Sequence, residues 1–248
     1  MITINDIIKL EVDEKIIKES IKKAIENNFI DNLRLRHPNV QLDCKIRGYI
    51  GEMAIKNFFN KNNIFFDKTD YLTDGMGNID IDLLYKNKYS LEIKTSLVPD
   101  TFANYEDKPL ERIKKCIDNC DIKLIKRSNK IEVLKGDIHI QLYYADLRKS
   151  KDQYLSNLDI NVGNMDLKNI YNKMEDIINL IYEKFKAYSY IERTYFVGWI
   201  DKATLINNIR KNRNKIWKFS YREFWECKLK NEAKKPKDII DYLIRLPS

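Results

Sequence analysis

Apolar positions recur at helical spacing twice before residue 62. From Asp13 to Leu35, Ile16, Ile17, Ile21, Ala24, Ile25 and Ile30 fall on three- and four-residue steps, which predicts a helix ended by His37-Pro38. From Leu42 to Asn60, Ile46, Ile50, Met53, Ala54 and Phe58 repeat the pattern, and Asn62-Asn63 closes it. The period then drops to two. Ile64–Phe66 is a short strand candidate, Asp74–Asn78 a loop, and Ile79–Tyr85 a half-buried strand that opens with alternating Ile and Asp. Lys86-Asn87-Lys88 is a turn and Tyr89–Thr95 the returning strand. Pro109–Lys126 reads as a helix, Ile131–Leu134 and Asp137–Ala145 as strands, Leu167–Lys186 as a helix and Tyr188–Ile200 as a strand. The rest of the chain reads as mostly helical and finishes with Pro236–Leu246. Helices flanking a central group of strands predict an α/β or α+β domain.

Composition narrows this. With 7 Gly and 5 Pro in 248 residues, turn punctuation is scarce, which favours long helices and long hairpins. No stretch approaches the ~18 consecutive apolar residues of a membrane span. Met1–Leu10 lacks the pattern of a signal peptide, and Cys44, Cys116, Cys120 and Cys227 are too few and too scattered for a disulfide framework. The expectation is a cytoplasmic protein with reduced thiols and no membrane partner. The net charge is +8, and Lys202–Lys235 alone holds eleven Lys or Arg against three Glu. Trp217, Phe219, Tyr221, Phe224 and Trp225 are interleaved there, a mixture suited to a polyanion such as nucleic acid.

The candidate chemistry lies in the hairpin. If Lys86-Asn87-Lys88 is a three-residue loop, Tyr85 faces Tyr89, Asp82 faces Glu92 and Asp80 faces Lys94. Directly opposed residues share a face at ~5 Å, so these acids and the lysine converge on one side. Ile79, Ile81, Leu83, Leu91 and Ile93 then form the other face, a segregation that a loop of even length would destroy. Two carboxylates brought together call for a cation between them. Mg²⁺ is commonly held by one or two carboxylates plus waters and a substrate phosphate. A nearby lysine can orient a metal-bound water and offset charge on a phosphorane, the requirements of phosphodiester hydrolysis.

Asp82, the hairpin, and then Glu92-Ile93-Lys94 resemble the signature of the PD-(D/E)XK nuclease superfamily, although Ile81 stands where the name has Pro. Upstream, Arg47-Gly48-Tyr49-Ile50-Gly51-Glu52-Met53-Ala54 resembles the Gly-Glu helix that precedes the motif in many members. The likeness spans roughly residues 42 to 145. It implies a restriction-endonuclease-like mixed sheet flanked by helices, within a core over residues 1–150. Residues 151–248 would form a basic helix–strand–helix extension packed on that core. It also implies Mg²⁺ dependence, with Mn²⁺ able to substitute, and the metal held by Asp82, Glu92 and the Ile93 carbonyl. Asp80 competes with Asp82: the hairpin register favours Asp82, and a loop Gly followed three residues on by Asp favours Asp80. Lys94 would activate water, and Glu52 would hold a second metal or position Lys94. The Gln-x-x-x-Tyr helix of one exonuclease branch is not matched, since Ala145 stands where Gln141 would require Tyr.

The resulting expectation is an endonuclease cutting double-stranded DNA, of the type II restriction kind. It would act as a homodimer, with a cognate methyltransferase as its genetic counterpart. Arg210, Lys211, Arg213, Lys215, Lys218 and Arg222 are the expected DNA contacts. Two rivals remain: a structure-selective nuclease of recombination, repair or phage defence, and a non-catalytic nucleic-acid-binding module. His37 and His139 are the only histidines, which gives a zinc site little support.

Overall fold

The structure, a computed structural model, describes residues 1–26, 38–67, 83–102, 107–126, 130–134, 136–145, 173–187, 193–211, 215–219 and 222–247. Asp80, Asp82 and Arg213 lie outside the described residues, as do the ends of several predicted elements.

Helix α1 spans Glu14–Glu26, and the Asp13 carboxylate accepts the Ile16 amide at 2.8 Å to cap it. Helix α2 spans Pro38–Lys61. It ends where Asn63 turns left-handed at φ 60° and the Ile64 amide reaches back to the Phe59 carbonyl at 3.0 Å. Ile17, Ile21 and Ile25 pack against Ile46 and Ile50. Ile177 and Ile181 join them from helix α4, Met174–Ala187.

The hairpin strands are β2, Leu83–Tyr85, and β3, Tyr89–Leu97. Tyr85 pairs with Tyr89 and Leu83 with Leu91, the register expected of a three-residue loop. Lys86 and Asn87 hold positive φ in that loop. The central sheet also takes β1, Ile8–Lys9, β5, Ile138–Tyr144, and β6, Thr194–Asp201. Its order is β1-β6-β5-β3-β2; β3 and β5 run parallel and the other pairs antiparallel.

A parallel pair needs a crossover, and here it carries α3, Pro109–Asn119. One apolar cluster joins Ala54, Ile55 and Phe59 of α2 to Leu91, Ile93, Ile140, Phe196 and Trp199, and includes Ile239 and Leu243 of helix α6, Asp238–Arg245. A second joins Ile113, Cys116 and Ile117 of α3 to Tyr143 and Val197, with Leu205 and Ile209 of helix α5, Lys202–Lys211. The result is a mixed α/β fold, a five-stranded sheet flanked by helices. Among the described residues no helix is long and apolar enough to cross a membrane.

Four expectations change. The helix predicted to reach Lys126 stops at Asn119, because Cys120 is extended and Asp121 bridges Lys228, leading into strand β4, Leu124–Ile125. Ile131–Val133 is a single 3-10 turn, and Ile64–Phe66 is not a strand, the nearest bridge being Asp67 with Leu84. The region after α5 is not all helical: β7, Ile216–Phe219, and β8, Arg222–Trp225, form a hairpin that completes a small sheet in the order β4-β8-β7. Trp217 stacks on its cross-strand partner Phe224 at 4.4 Å between centroids, so aromatic pairing outweighs helix propensity there. Strand β6 belongs to the central sheet, which thus takes strands from both sides of residue 150.

Candidate active site

Glu92 and Lys94 project from β3 to the same face, two residues apart on a strand. The Lys94 ammonium lies 2.6 Å from Glu92 Oε1. On the neighbouring strand His139 pairs with Glu92 and Gln141 with Lys94. His139 Nδ1 sits 2.9 Å from Glu92 Oε2, so each carboxylate oxygen meets a nitrogen. Gly136 makes this closeness possible. It holds φ +79°, and a Cβ there would stand 3.2 Å from both Glu92 Cβ and His139 Cε1.

Burial pushes the Glu92 carboxyl up, but His139 and Lys94 outweigh it, and its pKa lies below the usual carboxylate range. Glu92 is thus an ionised carboxylate that is only 4% exposed. His139 is equally buried; its Nδ1 approaches Glu92 without meeting hydrogen-bond geometry, and its Nε2 has no hydrogen-bond partner among the described residues.

Gln141 is fully buried and ties the site together. Its amide nitrogen donates to the Lys94 carbonyl at 3.1 Å and to Ser96 Oγ at 3.0 Å, while its oxygen accepts the Lys123 amide at 3.2 Å. Strand β5 is therefore buried on both faces, because α3 covers the side that His139, Gln141 and Tyr143 occupy. Its polar residues serve the interior instead of solvent.

Glu52 is placed differently from expectation. Its carboxylate accepts from Lys23 of α1 at 2.9 Å, and no ion pair joins it to Lys94. The helix that carries it does reach the strand: a Cβ on Gly51 would lie 2.2 Å from Thr95 Oγ1. Ile93 is buried on the α2 side of β3. Of Asp80, Asp82 and Glu92, only Glu92 lies within the described residues. Among those residues no three His, Cys, Asp or Glu side chains gather as a metal cluster. An ionised buried carboxylate with lone pairs left on both oxygens suits a hard cation as one ligand of several.

The expected DNA contacts are more paired than their sequence suggests. Arg210 meets Glu132 at 2.6 Å and Lys218 meets its cross-strand neighbour Glu223 at 3.3 Å. Lys215 forms an ion pair with Glu232 in which both side chains are largely buried, so it staples the chain and does not present a free cation. Lys228, Lys230, Lys234 and Lys235 likewise pair with Asp121, Asp118, Asp201 and Asp6. Much of the basic excess after residue 201 thus fastens this segment to the core. Lys211 is exposed at the end of α5, and Arg222 opens β8.

Comparison with protein-family models, with curated proteins and with solved structures yields no match to this chain.

Proposed function

We propose that this protein is a Mg²⁺-dependent endonuclease that hydrolyses DNA phosphodiester bonds, cutting duplex DNA at specific sequences in the manner of a type II restriction enzyme. The observation that supports this most is the Glu92–Lys94 pair. A buried, ionised carboxylate and a partly exposed ammonium lie 2.6 Å apart on a strand whose hairpin register matches the one that sets Asp82 across from Glu92. Double-strand cleavage at a palindrome calls for a homodimer.

In this reading Glu92, the Ile93 carbonyl and Asp82 or Asp80 hold Mg²⁺. When bound, the ion polarises the phosphoryl group and acidifies the attacking water. His139 fixes the Glu92 carboxylate from the side opposite Lys94. The Lys94 ammonium carries donors that can turn from Glu92 to the water and to a phosphoryl oxygen, where negative charge grows as the bond forms. Gln141 holds the Lys94 backbone, so that donor stays where the strand places it. Exposed pairs such as Lys218–Glu223 are worth little in water and can exchange their carboxylate for a phosphate. Lys218, Arg210, Lys211, Arg213 and Arg222 are the proposed DNA contacts.

Incubating the protein with a long defined duplex and Mg²⁺ tests this reading. Discrete fragments are expected from the parent, none with EDTA, and a loss of about 10²-fold or more in rate for Lys94→Ala or Glu92→Ala. A smear would replace site-specific cutting by a structure-selective or nonspecific activity. Equal cutting by Lys94→Ala would sink the assignment.

A further inference from the structure

Lys123 lies between Ile122 and Leu124, both fully buried, and is itself half-buried. In this extended stretch its side chain leaves from the opposite side to theirs. Its amide and the Lys94 carbonyl are held by the two ends of one carboxamide, that of Gln141, which sets the two lysine backbones side by side. Burial lowers the Lys123 pKa; Cys120 and Cys116 act the other way, and Arg47 and Lys94 add to the lowering.

Arg47 is offset by Asp43, and Lys94 by Glu92. Lys123 forms no ion pair with any carboxylate among the described residues. A half-buried cation without a carboxylate partner is unfavourable by itself and becomes favourable when an anion enters. Fold stability does not account for it either, since an apolar side chain would fill the place without the charge.

Resting on the nuclease reading of Glu92 and Lys94, we propose that Lys123 binds a phosphate oxygen of the nucleic-acid strand that Lys94 faces, as a second phosphate-binding cation of the same site. Gln141 is the residue that positions it. A lone lysine inside the apolar run Ile122–Ile125 is the trace this leaves in the sequence.

The test compares the parent with Lys123→Met and Lys123→Arg. Binding of a labelled duplex is followed by anisotropy in EDTA over a range of salt, and thermal stabilisation is followed with inorganic pyrophosphate. Neither readout requires cleavage. Lys123→Met should keep the parent melting temperature, weaken duplex binding about threefold to tenfold and reduce the salt slope by about one. It should also lose most of the stabilisation by pyrophosphate, and Lys123→Arg should restore both. Lys15→Gln, on the exposed face of α1, should leave the pyrophosphate response intact. The inference is overturned if Lys123→Met matches the parent in slope and in pyrophosphate response, if it unfolds, or if the parent binds neither probe. Failure of the nuclease reading shows separately, as absence of product with Mg²⁺ from a parent that still binds.

Discussion

At the scale of single residues, the same device recurs: an acid held ionised in a buried place by a cation set against it. Glu92 is one case and Asp201 another. Asp201 is 5% exposed, accepts the Thr204 amide at 2.8 Å as the cap of α5, and pairs with Lys234. Burial pushes its carboxyl up, and Lys234 and Thr204 more than reverse this, so the folded pKa is below the ordinary aspartate value of 3.8. A depressed folded pKa contributes stability that is complete above the unfolded value and is lost as pH falls through the folded one. The melting temperature of the parent should therefore exceed that of Asp201→Asn at about pH 6, and the gap should close as pH falls below the ordinary aspartate value. Asn keeps the cap but not the charge, so the neutral-pH difference reports the Lys234 pair. A gap that stays constant with pH would mean the carboxylate is not responsible.

At the scale of elements, the contact between α2 and β3 decides where the site can form. Gly51 lets the helix approach Thr95, the residue after Lys94; a Cβ there would meet Thr95 Oγ1 at 2.2 Å and Leu142 Cδ1 at 3.2 Å. Gly51→Ala should cost about 1–3 kcal/mol in chemical denaturation, the usual range for overpacking. Adding Thr95→Ala should recover much of that loss, because the two side chains would compete for one space. Additive losses would place the strain elsewhere.

Elements whose pattern is local were legible in the sequence. The hairpin register followed from keeping Leu83 and Leu91 on the face opposite Glu92, and Leu83 does pair with Leu91. Helix α2 followed from Ile46, Ile50 and Ala54. Features that depended on distant partners were not legible. The polar residues His139 and Gln141 suggest a wet face, and only the packing of α3 over that face shows it to be dry. The β7–β8 hairpin was hidden within a basic segment whose charges mark a helix as readily as a strand. The carboxylates that pair with the lysines following it, Asp6, Asp118, Asp121 and Asp201 among them, lie far away in the chain. For the candidate site, the Glu92–Lys94 strand was readable, whereas His139 as the partner of Glu92 required knowing that β5 runs parallel beside β3.

On the scale of the whole molecule, the central sheet binds both halves of the chain into one folding unit. Strand β6 lies between β5 and β1, so the fragment 1–150 lacks the partner of both. That fragment should show no cooperative melting by circular dichroism and no Mg²⁺-dependent cutting, and a cooperative transition in it would show that the sheet closes without β6. The late arrival of β6 also orders events in time. During synthesis, β5 leaves the ribosome ahead of β6 by the interval between Tyr144 and Thr194, about 2–10 s at ordinary elongation rates. Through that interval one edge of β5, with Ile138, Ile140 and Leu142 on it, awaits its partner, which makes the nascent chain a client for chaperones. If the protein cuts DNA, the same delay keeps unfinished chains harmless to the cell that makes them.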